Sequence, residues 1–173
     1  SNIRRTSLAQ VGAFTGVVGD AGITINERAS IPVTTGNSLT IAAGIQSLFR
    51  GADEMGIDPA QSTAVVVGAT GSIGSACARL LAARVQRLLL VARNETRLRK
   101  FHERVASELP CETSYTTDIG AAVRQAQLIL TATSSTQDVI QPEDLQTGVV
   151  VCELSLPHDV SRNVALTRAF CFT

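Results

Sequence analysis

The sequence contains no tryptophan, one tyrosine and five phenylalanines. Its core must therefore be filled by Ala, Val, Leu and Ile, and it offers few rings on which single-stranded nucleic acid would stack. Neither sign of charge is in excess, since fifteen Lys and Arg balance fifteen Asp and Glu. No positive field is left to attract nucleic acid or an anionic membrane surface. Lysine is almost missing: Lys100 stands beside fourteen arginines, a bias that reads as base composition more than as site chemistry. No apolar run reaches the ~20 residues of a membrane-spanning helix, and the N-terminus lacks the apolar core of a signal peptide. The cysteines at 77, 111, 152 and 171 fit no CxxC spacing, and His102 and His158 lie near none of them. No metal is expected, and the cysteines read as reduced thiols of a cytoplasmic protein.

At 173 residues, 45% of them hydrophobic, the chain has the size of one domain, or one domain with an attached piece. It starts at Ser1-Asn2 and stops at Phe170-Cys171-Phe172-Thr173, and so reads as a piece of something longer. Residues 1–34 carry many turn signals. Short strands are predicted at Val11–Thr15 and Gly22–Ile25, and this stretch is expected to belong to an adjoining substrate or catalytic domain. Residues 35–173 are the candidate nucleotide-binding domain. Asn37 or Ser38 is predicted to cap a helix running to about Glu54. Gly44 weakens that expectation by about 1 kcal/mol.

Strand and helix patterns then alternate. Thr63–Val67, Leu88–Ala92, Glu112–Tyr115, Leu128–Ala132 and Gly148–Leu154 read as strands. Helices are predicted from Gly71 to about Ala83, over 95–108 after Asn94, and from Ile119 to about Gln125 after Asp118. Continuous β-branched and aliphatic runs indicate strands buried on both faces. The expected architecture is α/β, a Rossmann-like doubly wound parallel sheet with helices on both faces.

Val65-Val66-Val67-Gly68-Ala69-Thr70-Gly71-Ser72-Ile73-Gly74 carries the chemistry. A buried strand runs into G-x-x-G-x-x-G and then into an Ala-rich helix, the context that makes a glycine fingerprint specific for a dinucleotide. Gly68 permits the tight turn, Gly71 lets backbone approach a pyrophosphate, and Gly74 lets the helix press on the sheet. Free amides at Ser72, Ile73 and the helix start would face the phosphates. Nineteen positions after Gly74, where an acid would hold the ribose of NAD, stands Arg93, followed by Asn94 and Arg97. A guanidinium there suits a 2′-phosphate, and the expected cofactor is NADP(H). Arg97 has a competing reading as part of a solvated helix face, and Arg99 fits that reading better. Glu95 is expected to begin the helix. Thr133 and Ser134, at the end of a sheet strand, are expected beside the nicotinamide ribose, with a turn or cap cluster as the alternative. Ser155 is expected on the opposite rim.

The segments Thr34–Thr40, Gly68–Ala76 and Leu89–Asn94, with Val11–Thr15 before them, resemble the long-chain acyl-[acyl-carrier-protein] reductases. More distantly they are similar to shikimate dehydrogenases and glutamyl-tRNA reductases. The resemblance implies NADPH-dependent reduction of a fatty acyl thioester, carried on acyl carrier protein or CoA, to an aldehyde. In that chemistry a cysteine thiolate attacks the thioester and hydride then releases the aldehyde. In the family that cysteine follows the nucleotide domain, and none of the four cysteines here stands in its context. Cys77 reads as packing in the fingerprint helix. Glu153 stands where relatives tend to have Asp, and His158 reads as a surface residue. Thr35 and Asn37 are expected on the nicotinamide side, with simple helix capping as the competing reading. A shikimate- or quinate-type dehydrogenase is one alternative function, although residues 1–34 contain no Lys. A non-catalytic NADP-binding module is another, and a homo-oligomer is compatible with all three.

Overall fold

The structure, a computed structural model, describes residues 9–10, 23–135, 139–155, 158–161, 164 and 171–172. The chain divides into two compact units, residues 1–40 and 41–173. In the first, β1 (Ala9–Gln10) runs parallel to β2 (Val33–Thr34). The strand predicted at Gly22–Ile25 is corrected: Ile23, Thr24 and Ile25 open helix α1 (Ile23–Arg28). An alternation of three residues suits one helical turn as well as a strand, and the bond from Ala29 N to the Ile25 carbonyl (2.9 Å) closes the helix. The strand predicted at Val11–Thr15 lies outside the described residues.

Helix α2 (Asn37–Glu54) begins one or two residues earlier than a cap at Asn37 or Ser38 would give. Asn37 and Ser38 are its first helical residues. The capping position falls to Gly36, whose carbonyl accepts from Thr40 N (3.0 Å). Gly36 has φ of 78°, a conformation glycine adopts without penalty, which is why the turn falls there.

The second unit is built on a parallel sheet of six strands in the order β5-β4-β3-β6-β7-β8. The strands are β3 (Thr63–Val67), β4 (Arg87–Val91), β5 (Glu112–Thr116), β6 (Leu128–Thr131), β7 (Val150–Glu153) and β8 (Cys171–Phe172). Counted from β3, this is the 3-2-1-4-5-6 order of a doubly wound sheet, with its switch point between β3 and β6. The two-residue period of a strand divides the core. Ala64, Val66, Leu88, Leu90, Leu128 and Leu130 face α2, α3 (Ser72–Ala82) and α4 (Glu95–Val105). Val65, Val67, Leu89, Val91 and Ile129 face α5 (Ile119–Val123) and the segments holding Ile140, Leu145 and Val160. Phe49 and Phe101 are buried in the first layer, Tyr115 packs against it, and most of the rest is aliphatic, as the composition demands.

Gly44 has a packing role that accounts for its presence in a helix. A Cβ there would fall within 3.0 Å of both δ-carbons of Leu154, so its absence lets α2 approach the end of β7. The buried Cys152 thiol donates to the Gly44 carbonyl (3.4 Å).

Candidate functional site

β3 ends at Val67, the chain turns at Gly68 with φ of 85°, and α3 starts at Ser72. Gly68 N and Ala69 N both donate to the Val91 carbonyl (2.9 and 3.0 Å), which fastens the turn to the end of β4. A Cβ on Gly68 would lie within 3.0 Å of the Ala132 carbonyl, and one on Gly74 within 3.0 Å of the Gly68 carbonyl. Both neighbours are backbone and cannot rotate away. Gly71 is different: its φ of −77° is open to any residue.

The helix starts around this turn are unequal. Asn94 Oδ1 caps α4 by accepting from Arg97 N (2.9 Å), and Asp118 Oδ1 caps α5 by accepting from Ala121 N (2.8 Å). Helix α3 begins after Gly71 with no side-chain cap. Its first-turn amides, from Ser72, Ile73 and Gly74, are donors without an internal side-chain acceptor, at the positive end of the helix dipole. Such an arrangement fits a phosphate group, and the fingerprint turn lies directly against it.

A cleft of about 290 Å³ opens over the C-terminal ends of β3, β4 and β6. Gly68, Thr70 and Gly71 form one wall, Arg93, Asn94 and Arg97 a second, and Ala132, Thr133, Ser134 and Ser135 a third, with Val139. The structure thus brings together most of the residues named from sequence. Ser72, Ile73 and Gly74 stand just behind, in the first turn of α3, and Ser155 is buried beneath Thr133. Thr35 and Asn37 belong to the first unit.

The arginine side carries open positive charge. Arg97 Nη2 donates to the Thr70 carbonyl (3.1 Å), folding α4 toward the glycine turn. Among the described residues, neither Arg93 nor Arg97 has a carboxylate within 4.0 Å, whereas Arg99 pairs with Glu103 along the exposed helix face. A second hollow of about 240 Å³ adjoins the cleft, lined by Thr70, Ser75, Arg97, Lys100, Phe101 and Arg104. Glu95 is the first residue of α4.

On the other side, sequence reasoning missed Asp159. Its carboxylate is fully buried. It accepts the hydroxyl protons of Thr133 and Ser155, and Thr133 N lies 3.3 Å away. Thr133 N also donates to Ser155 Oγ (2.9 Å). Glu153, buried as well, accepts from the backbone amides of Asp159 and Val160 (the latter at 2.9 Å) and bonds His158 Nδ1 at 2.8 Å. His158 itself is exposed, as expected. No spacing in the sequence marks this cluster, because β7 and the turn after it meet β6 only in the folded sheet.

The described thiols are poorly suited to nucleophilic work. Burial, with Cys152 nearby as a lesser cause, pushes the Cys77 thiol up to about 11. Burial also raises Cys111, which precedes β5 at the end of the sheet opposite the cleft. Among the described residues no group of three or more His, Cys, Asp or Glu side chains is placed to hold a metal, and no helix is long and apolar enough to cross a membrane.

Comparison with known families matches residues 52–173 to shikimate / quinate 5-dehydrogenase. The chain belongs to this family. The matched residues fall within the unit 41–173, whose sheet is the Rossmann-like sheet of an NAD(P)-binding domain. Two curated proteins are similar to it in sequence. Aminotransferase PigE of Serratia sp. is 35% identical over 165 residues, 93% of this chain and 19% of that protein. Long-chain acyl-[acyl-carrier-protein] reductase of Synechococcus elongatus is 35% identical over 136 residues, 76% of this chain and 38% of that protein. The chain thus spans well under half the length of either. The structure of Shikimate 5-dehydrogenase from Listeria monocytogenes, in complex with shikimate and NAD, has a TM-score of 0.57 and 12% identity over 99% of this chain and 65% of that one. At that identity the likeness shows the fold of the shikimate / quinate 5-dehydrogenase family and nothing finer.

Proposed function

We propose that this chain is the NADP(H)-binding part of a reductase that turns a fatty acyl thioester, on acyl carrier protein or CoA, into an aldehyde. The observation that carries the cofactor choice is the pair of Arg93, just past β4, and Arg97, in the first turn of α4, without a neighbouring carboxylate among the described residues and beside the basic hollow of Lys100 and Arg104. A 2′-phosphate supplies the missing anion, and Arg holds it through paired N–H donors. The uncapped turn of α3 takes the pyrophosphate, with Gly68, Thr70 and Gly71 against it. Thr133, Ser134 and Ser155 form the nicotinamide side. In this reading residues 1–34 are a segment of an adjoining substrate domain and residues 35–173 are the cofactor domain.

When bound, NADPH supplies the hydride. The chain orients it, and the acyl group is held on a thiol other than Cys77, Cys111 and Cys152, whose burial and placement keep them from that role. Two similarities support the acyl reductase: the partial match to a long-chain acyl reductase, and the shared segment in a protein named an aminotransferase. Transamination consumes a carbonyl compound, and an aldehyde-releasing reductase makes one.

A second reading, oxidation of a hydroxy acid of the shikimate or quinate kind, is favoured by the family match to residues 52–173. The two separate in one assay. The protein carrying this chain should consume NADPH with acyl-carrier-protein or acyl-CoA thioesters and release aldehyde. Reduction of NADP⁺ by shikimate or quinate, with no thioester turnover at any chain length, would overturn the first reading in favour of the second.

A further inference from the structure

We infer that Asp159 is a positioning residue that holds two segments of the nicotinamide-side rim of the cleft, one through its side chain and one through its backbone. This rests on the nucleotide reading above and adds a residue that no glycine or arginine motif points to. The side chain acts on one flank of the rim. It accepts the hydroxyl protons of Thr133 and Ser155, and Ser135 N in turn donates to Thr133 Oγ1 (3.0 Å). The backbone acts on the other flank: the Asp159 carbonyl accepts from Val139 N (2.7 Å) and Ile140 N (3.1 Å). One residue therefore ties both Thr133–Ser135 and Val139–Ile140, each of which contributes to the cleft wall.

Asp159 is in turn fixed to β7, because its own amide and that of Val160 donate to Glu153 Oε1. The chain of contacts runs from β7 through Asp159 to the end of β6, across the half of the sheet that takes the nicotinamide mononucleotide. It also assigns Thr133 a different job from the one its sequence position suggests. The Thr133 hydroxyl has spent its proton on Asp159 and one acceptor position on Ser135, so Ser134 and the backbone of the rim are left to meet the ligand. A fully buried carboxylate is tolerable only with such a set of donors. Removing it takes the acceptor from the Thr133 hydroxyl, leaves Ser155 only the longer bond to Thr131 Oγ1 (3.4 Å), and undoes the side-chain hold on the rim.

The test separates this role from a general loss of folding by using two ligands. NADPH spans both halves of the site, and adenosine 2′,5′-bisphosphate fills only the arginine half. Asp159→Ala should weaken NADPH at least about tenfold, the equivalent of leaving a rim residue to be ordered at binding. The bisphosphate should stay within about twofold, a difference below 0.5 kcal/mol. Asp159→Asn, which keeps one acceptor oxygen and the shape, should recover part of the NADPH affinity. If Asp159→Ala does not fold, the paired change Thr133→Val with Ser155→Ala removes the same two bonds from the other side and should give the same split. Equal weakening of both ligands in a folded variant, or unchanged NADPH affinity, overturns the inference. Failure of the unaltered chain to bind the bisphosphate overturns the nucleotide reading itself, and this inference falls with it.

Discussion

If the proposed NADP(H) site is right, Arg93→Asp should convert its cofactor preference. Arg93 stands exposed at the end of β4, one residue before the cap of α4, and it lines the cleft with Arg97. A charge-assisted hydrogen bond contributes about 1.5–3 kcal/mol. Placing a carboxylate ~4 Å from the phosphate in a solvated setting adds repulsion of about 1 kcal/mol per unit of charge. The sum, roughly 2.5–4 kcal/mol, corresponds to a loss of about two to three orders of magnitude in NADPH affinity. NADH has no 2′-phosphate and feels neither effect. Its ribose hydroxyl gains an acid at the position where NAD sites carry one, so its affinity should hold or improve. Isothermal titration of both cofactors, with the parent and the variant, reads the change directly. NADPH binding to the parent should also weaken as salt rises, because exposed charges are screened over about 10 Å at 0.1 M. Equal losses for NADPH and NADH, or no loss for either, would refute the role given to Arg93.

Gly74→Ala places a methyl against the Gly68 carbonyl, which cannot yield without moving the turn, and should cost about 1–3 kcal/mol in denaturant unfolding. Wild-type stability in that variant would show that α3 has room the packing denies. The raised Cys77 thiol has a signed consequence: the unfolded chain releases this proton near pH 9 while the folded chain holds it to about 11. The thiol's contribution to stability is complete below pH 9 and should fall between these values by up to about 3 kcal/mol, at ~1.4 kcal/mol per unit. Unfolding curves on either side of that window, compared with Cys77→Ala, check it, and identical slopes for the two proteins would contradict the burial argument.

Much of the local structure around the glycine turn was legible because its signals are local. Gly68 and Gly74 sit at fixed offsets from a β-branched strand, and the structure gives each the contact that a Cβ would destroy. Asn94 and Asp118 precede their helices by one residue and cap them as predicted. Arg97 and Arg99 look alike in sequence, yet one turns to the Thr70 carbonyl and the other pairs with Glu103. Their places around α4 decide this, and only the sheet beneath α4 sets which side faces the glycine turn. The misread segments are short ones. Ile23–Ile25 has too few residues for its period to tell strand from helix, and α2 starts one or two residues early because the positive φ of Gly36 sets the turn.

The sequence alone determined a parallel α/β sheet, a glycine turn before an open helix, and arginine where an acid would stand in an NAD site. Each follows from interactions among residues within about one element of one another, where spacing dictates geometry. Tertiary structure alone decided that Asp159, Glu153, Ser155 and Thr133 form one buried network across two strands. It also decided that Gly44 is a contact point and not a weakness in its helix. Those pairings depend on the register of β6 against β7 and on the distance between α2 and the sheet. Both come from the packing of the whole aliphatic core and not from any single motif.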